Sequence, residues 1–278
     1  MTQDEKWIRW EPDSGRIQSS FGRLILYPEG FVESFMEEVM RSGGKAVVQM
    51  LVNDLTKEFG VQVPTDGEFL WDDFERALDA QVAPFGSVQN RPDALVWDGQ
   101  TRRLSYRGVF TVGLWPVGVV GSIKASAEKA LTARGAGAIF GQASRKAGRM
   151  MGEMMQKTFN WDSADALMAA VAQIVPEISG DLGWGRLTVS ADMSRKLIGF
   201  TIRNSFEVEA GGKDAQLIII KNQLEGIGEY LASQGGFTSR GREFIPANEA
   251  DARLVVLALL ASDQEINWDT VEWKSLVS

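Results

Sequence analysis

The sequence predicts an α+β protein in which a layer of helices covers an antiparallel sheet. Short β-rich segments flank strong turn signals at residues 12–15 and 98–99. The longer segments that follow them carry apolar residues at helical spacing. This order occurs twice, because residues 8–60 recur loosely at residues 95–148. A period this long is not that of a solenoid, so it indicates a partially duplicated domain core.

The repeat rests on residues matched at an offset of 87 and then 88. The matched pairs are Trp10 with Trp97, Arg16 with Arg103, Leu26 with Leu114, Pro28 with Pro116 and Gly60 with Gly148. The offset changes inside a turn, where a deletion costs least. We therefore expect a partial N-terminal repeat at residues 1–92 and a complete unit at residues 93–278.

The first copy is expected to begin with two strands, Trp7–Trp10 and Gly15–Tyr27, and Pro28 ends the second because proline lacks a ladder donor. Two helices follow, separated by Gly43 and Gly44, and a third is predicted at Trp71–Val82.

The second copy repeats this order and then continues. Its predicted elements are the strands Ala94–Trp97 and Arg102–Leu114, the helices Val119–Leu131, Ala136–Lys157 and Asp162–Val175, the strands Trp184–Ser190 and Leu197–Phe206, the helix Asn222–Ser233, and the β-rich segments Arg242–Ile245 and Leu254–Leu260. Pro176 and Gly180 are expected to end the third helix.

Composition excludes many functions. The chain has no cysteine and no histidine, which rules out thiolate metal sites, haem ligation by these residues and Ser-His-Asp catalysis. A net charge of -8 argues against nucleic acid or an anionic membrane as partner. The polar N-terminus is not a signal peptide, and no apolar stretch is long enough to span a membrane, so we expect a cytoplasmic protein.

The C-terminal half resembles the 4-vinyl reductase domain family. The resemblance is carried by AIFGQASRKAGRMMGEMM with Gly148, Arg149 and Gly152, by an Asn-Ser-x-Glu stretch at residues 204–207, and by a helix containing Gly226 and Gly228. It covers roughly residues 110–260 and implies a small α+β ligand-binding module, related in fold to small subunits of the TRAPP vesicle-tethering complex.

The chain departs from that pattern at the zinc site of the family's aromatic-sensing members. Glu243 stands where their zinc-binding glutamate falls, but Pro246 and Leu254 occupy the expected cysteine positions. We therefore predict no metal and no cofactor. Membership would not establish reductase activity either, because fold does not imply function.

Candidate ligand-binding residues come from a Met-rich helical segment and from scattered aromatic residues. They are Phe140, Met151, Met155, Trp184, Phe206 and Tyr230. Methionine adapts to variable ligands, but it also fills gaps in ordinary cores, and both interpretations stay open. Trp10 and Trp97 are expected in the core, with Trp184 as a pocket wall.

A second candidate feature is a helical stripe of small residues that includes Gly137, Gly141, Gly148 and Gly152. It predicts either close packing within the domain or an interface, between two copies of the chain or between the two repeats. Glu225 and Glu229 share a helix face and are expected to be solvated.

No nucleophile–base pair or cofactor fingerprint is visible, so no catalytic residue is proposed and the chain is expected not to be an enzyme. The leading hypothesis is a binding protein for a hydrophobic small molecule, a protein partner, or both. One alternative is a TRAPP-like scaffold acting through a dimer surface, as a homodimer or with another protein. Another is an accessory factor of a tetrapyrrole pathway or of photosynthetic assembly.

Overall fold

A computed structural model describes residues 7–20, 22–59, 87–98, 103–159, 164–192, 194–212, 215–234, 237–246, 249, 251–261 and 264–277. The first part of the chain contains the strands β1 (Trp7–Glu11), β2 (Arg16–Ser19) and β3 (Gly22–Pro28), the helix α1 (Glu29–Phe59) and the short strand β4 (Ser87–Gln89). The predicted helix at Trp71–Val82 lies outside the described residues.

The second part begins with the same order: strands β5 (Leu95–Asp98), β6 (Arg103–Tyr106) and β7 (Phe110–Pro116), then helix α2 (Val117–Phe159). The later elements are α3 (Ala164–Asp181), β8 (Arg186–Asp192), β9 (Leu197–Arg203), α4 (Phe206–Gly211), α5 (Ile219–Gln234), β10 (Phe237–Phe244) and β11 (Ala252–Ala261). Two 3₁₀ turns, Trp268–Thr270 and Trp273–Leu276, follow them. The prediction of an α+β fold with helices layered on a mainly antiparallel sheet is confirmed.

Strands from both parts form one seven-stranded sheet in the order β4-β1-β2-β3-β7-β6-β5. Its centre is the antiparallel pair β3–β7, in which Leu26 lies opposite Leu114. These two leucines are also matched in the sequence repeat, so the centre of the sheet behaves as a local two-fold axis. The predicted boundary after residue 92 therefore crosses a continuous sheet.

The long helices α1 and α2 pack against each other, and each contains one non-helical residue. In α1 this is Gly44 (φ 71°), where glycine adopts the left-handed region without steric cost. In α2 it is Thr132 (φ 73°), which stands 88 residues later. The predicted breaks between helices are present as kinks within continuous helical runs.

The second sheet has the order β10-β11-β9-β8 and is fully antiparallel. One face packs against α5 and α3, where the main core lies. The opposite face is covered by the C-terminal 3₁₀ turns, and Phe244 stacks on Trp273 with ring centroids 5.0 Å apart. This sheet is the floor on which the candidate site is built.

Several local predictions are wrong. Helix α3 continues through Pro176 to Asp181, so proline does not end it. The Asn-Ser-x-Glu stretch follows strand β9 rather than lying on it, and the Ser205 hydroxyl accepts a hydrogen bond from the Glu207 N–H at the start of α4. Trp10 is buried as expected, but Trp97 is 53% exposed because it lies on the edge strand β5. Within the described residues, no helix has both the length and the hydropathy to cross a bilayer.

Candidate ligand-binding site

A small apolar cavity, called the inner cavity below, lies where α2, α3 and α5 meet strand β8. Its volume is about 20 Å³, which is room for about one water molecule. Its lining comprises Met151, Met155, Val175, Ile178, Ser179, Trp184, Leu187, Ile220, Gln223, Leu224 and Ile227. None of these residues carries a formal charge, so the cavity suits only an uncharged group.

A larger depression, called the outer groove below, opens on the surface beside the inner cavity. Its volume is about 330 Å³, within the range of small-molecule sites. One wall is the junction of β3 and α1 at residues 28–31, another is the β6–β7 turn, and the third is α2. The α2 wall presents Met150, Met151 and Met154.

Met151 belongs to the linings of both spaces and is itself buried. Methionine is unbranched and flexible, so the side chain that separates groove and cavity is one that adapts its shape at low cost. Aromatic rings connect the same two spaces. Tyr27 stacks on Phe31 of the groove at 4.6 Å between centroids and contacts Trp184 of the cavity at 5.7 Å.

The polar side chains that line the inner cavity differ in whether they have partners. The Ser179 hydroxyl donates to the Gly185 carbonyl at 3.0 Å, and the Trp184 indole N–H donates to the Leu26 carbonyl at 2.7 Å. Gln223 is 1% exposed, yet neither its Oε1 nor its Nε2 has a hydrogen-bond partner among the described residues. Leaving such a buried amide unpaired costs on the order of 1–3 kcal/mol.

The backbone of Gln223 is fixed by close packing between α2 and α5. A Cβ placed on Gly148 would come within 2.9 Å of the Gln223 Cα, and one placed on Gly226 within 2.9 Å of the Arg149 nitrogen. Each glycine therefore lets the facing backbone approach directly. This packing holds the Gln223 side chain at the cavity.

The glycines proposed as an interface all lie along this contact. Gly137 faces Ile218 just before α5, Gly141 faces Asn222, and Gly152 faces Tyr230. The structure thus brings them, with Gly148, against α5 of the same chain, which is the close-packing alternative.

The N-terminus of α5 is capped by a buried carboxylate from α4. Glu207 accepts hydrogen bonds from the backbone N–H groups of Ile219 at 2.9 Å and Ile220 at 2.8 Å. Burial raises the pKa of Glu207 to about 7, although these N–H groups favour the charged form. Glu207 therefore anchors the helix turn that precedes Gln223.

Glu225 and Glu229 are not solvated, contrary to the prediction. Glu225 is 4% exposed and forms an ion pair with Arg145, while Glu229 lies 3.1 Å from the same guanidinium. The prediction failed because Arg145, the basic residue that both carboxylates share, comes from α2, which sequence spacing on α5 cannot show. These ion pairs link α2 to α5 through the partly exposed Arg145 side chain.

Protein contacts hold the residue that stands at the position of the zinc-binding glutamate of the aromatic-sensing 4-vinyl reductase domains. Glu243 lies 3.5 Å from the guanidinium of fully buried Arg253 and accepts a hydrogen bond from the Leu217 N–H at 3.0 Å. Burial raises the pKa of Glu243, and the Arg253 charge opposes that rise. Among the described residues, no group of three acidic side chains could hold a metal ion.

The structure brings together three of the six predicted ligand-binding residues, Met151, Met155 and Trp184, which line the inner cavity. Phe206 lies behind this wall, in edge-to-face contact with Tyr27 at 5.9 Å. Phe140 is buried but lines neither space. Tyr230 donates its hydroxyl to Gln156 at 2.6 Å and also lies outside both linings.

Sequence reasoning missed Gln223. A signal was present, because Ile220, Gln223, Leu224 and Ile227 follow the i, i+3, i+4, i+7 spacing of one helix face. An amide within an otherwise apolar stripe indicates a buried polar group that needs a partner.

No protein-family model and no curated protein matches the chain. Among solved structures, it is similar to the phenol-responsive sensory domain of the transcription activator PoxR with phenol, at 16% identity and a TM-score of 0.46, over 67% of this chain and 90% of that one. It is also similar to an Fe(II) unliganded H-NOX protein from K. algicida, at 6% identity and a TM-score of 0.48, over 86% of this chain and 100% of that one. An H-NOX protein from S. oneidensis matches at 9% identity and a TM-score of 0.39, over 84% of this chain and 99% of that one. Similarity at this level assigns no ligand and no residue role to this chain.

Proposed function

We propose that the protein binds a small, mainly apolar molecule at the inner cavity, with the outer groove as the route of entry. The observation that carries the proposal is the buried Gln223 amide, which has no partner among the described residues and lines an otherwise apolar space. Met151, shared by both linings, supports the connection between the two spaces. An occupant larger than a water molecule requires Met151 or Met155 to move, and methionine side chains allow this.

The site favours binding of a small molecule without catalysis. Among the described residues that line the inner cavity there is no carboxylate, lysine or arginine, and the Ser179 hydroxyl is engaged by a backbone carbonyl. It therefore lacks both a general base and an activated nucleophile. A tetrapyrrole would also need far more room than this cavity provides. A place for the chain in the 4-vinyl reductase family, as a sensor or carrier module, agrees with this proposal.

The test is native mass spectrometry of the protein purified from its own host, followed by denaturing analysis of any released molecule. The wild-type chain is compared with Met155→Phe, which fills the inner cavity, and with Met40→Phe, the same substitution at an exposed position. We expect a stoichiometric small molecule on the wild type and on Met40→Phe, and its loss from Met155→Phe.

Two results contradict the proposal. One is a bare wild-type chain, and the other is a molecule that Met155→Phe retains as well as the wild type does. Circular dichroism on both variants establishes that each is folded before the comparison.

Protein–protein interaction is a second candidate function, favoured by the exposed apolar residues Val96 and Trp97 on edge strand β5. An open strand edge with apolar side chains is a common pairing surface. Light scattering after size exclusion tests it: Trp97→Ser should lower the mass of any oligomer, and an unchanged mass contradicts a role for this edge.

A further inference from the structure

We infer that the inner cavity selects an uncharged molecule that presents a hydrogen-bond donor and an acceptor side by side on one carbon atom, as a primary carboxamide or a lactam does. This inference rests on the proposed function and names the ligand class of the same site. It follows from which polar groups line the cavity and from the hydrogen-bonding chemistry of the Gln223 side chain.

Charged ligands are excluded by the surroundings. The described part of the lining holds no Asp, Glu, Lys or Arg, so a buried ion would find no counter-charge among these residues. Arg145 and Glu225 form an ion pair with each other and do not line the cavity. The occupant is therefore neutral.

Gln223 defines the polar contact. Ser179 and Trp184 are committed to the carbonyls of Gly185 and Leu26, which leaves the Gln223 amide as the group in this lining without a partner. Its Oε1 needs a donor and its Nε2 needs an acceptor, and both atoms belong to one planar amide. The close approach of Gly148 to the Gln223 backbone fixes the helix turn that carries this side chain.

A second planar amide meets both needs at once, since it places its own N–H and C=O side by side. A ketone supplies only the acceptor and leaves Oε1 unpaired. A hydroxyl carries both functions on a single atom, so it reaches only one of the two Gln223 atoms with good hydrogen-bond geometry. The one additional hydrogen bond, which pairs the otherwise unsatisfied Oε1 in an apolar site, separates an amide from its ketone isostere by about tenfold or more in Kd.

The experiment is isothermal titration of the full chain with benzamide and with acetophenone, which differ only by NH₂ in place of CH₃. The variants are Gln223→Met, which keeps the side-chain length but loses the amide, and Gln234→Met, the same substitution at an exposed position of α5. We expect the wild type and Gln234→Met to prefer benzamide by about tenfold or more, and Gln223→Met to lose that preference.

A second readout is the ¹⁵N side-chain amide spectrum, in which the Gln223 signal is identified by its absence from Gln223→Met. Benzamide should shift that signal in the wild type and acetophenone should shift it less. Equal affinity for the two probes overturns this inference and leaves the proposed function standing. Binding of neither probe also overturns this inference, whereas the proposed function is decided by the native mass spectrometry of the wild type and Met155→Phe. A preference that survives in Gln223→Met also overturns the inference, because it places recognition elsewhere.

Discussion

Replacing Gly148 by alanine should destabilise the protein and displace the α2–α5 contact that positions Gln223. The added Cβ would lie 2.8 Å from the carbonyl carbon and 2.9 Å from the Cα of Gln223, and closer still to the carbonyl oxygen. All three are backbone atoms, so no side-chain rotation relieves the overlap and the two helices must separate.

The magnitude follows from two opposing effects. Overpacking in a core costs about 1–3 kcal/mol, and a clash with backbone belongs at the top of that range. Alanine returns about 1 kcal/mol through its higher helix propensity. The free energy of unfolding should therefore fall by about 2 kcal/mol, which lowers Tm by roughly 5 °C for a chain of this size.

Gly118→Ala is the matched control, because it lies in the same helix and its Cβ would meet no atom within 4 Å. It should leave stability unchanged or raise it by up to about 1 kcal/mol. Urea unfolding of both variants measures the difference. If Gly148→Ala proves as stable as Gly118→Ala, the direct backbone contact between α2 and α5 is refuted, and with it the fixed position of Gln223.

Three further perturbations follow from other contacts. The pKa of Glu207 is raised from 4.5 to about 7 in the fold. The stability that this shift contributes is therefore complete below pH 4.5 and is lost as the pH rises through about 7. The free energy of unfolding falls in this window by at most about 1.4 kcal/mol per pH unit. Glu207→Gln should flatten this part of the pH–stability curve from urea unfolding, and an unchanged slope would assign it to another group. Met151→Ala should lower the free energy of unfolding by about 2 kcal/mol, the low end for a buried methionine, because two spaces already adjoin this side chain. Met151→Leu should lower it by less than about 1.5 kcal/mol. Equal losses for the two variants in urea unfolding would contradict the role of Met151 as a shared wall. Arg253→Met should lower the free energy of unfolding by about 3 kcal/mol, because it leaves the Glu243 charge without its partner. Adding Glu243→Gln should recover part of that loss. A double variant as unstable as Arg253→Met would show that the two residues are not coupled.

The sequence predicted the elements well where local chemistry decides them. The α5 helix and the second sheet are present close to the predicted bounds. The predicted strands Gly15–Tyr27 and Arg102–Leu114 are wrong, because each segment folds back into two antiparallel strands, β2 with β3 and β6 with β7. Predictions failed where a distant segment decides the outcome. Trp97 is exposed although its repeat partner Trp10 is buried, because the Trp10 indole N–H finds the Asp181 carbonyl at 3.0 Å whereas Trp97 lies on the edge strand β5.

The residues of the candidate site were likewise predictable only in part. Met151, Met155 and Trp184 were predictable as apolar residues at suggestive positions, but Phe140 and Tyr230 have the same character and lie outside both linings. Which of them meet depends on the angle between α2 and α5. That angle is set by glycine contacts across about 80 residues of sequence, and periodicity within one helix does not contain it.

The first part of the chain shapes the site although none of its described residues lines the inner cavity. Its strand β3 supplies the Leu26 carbonyl that holds the Trp184 indole, and Leu26 in turn donates its N–H to the Leu182 carbonyl. Buried Arg23, on the same strand, donates to the carbonyl of Gly183, which directly precedes Trp184, at 2.9 Å. It also donates to the carbonyl of Asn204 at 2.7 Å. Residues 28–31 then form a wall of the outer groove. Because the groove lies between the two parts and the tryptophan is held from the first, loss of residues 7–31 would remove the entrance and release one wall of the cavity.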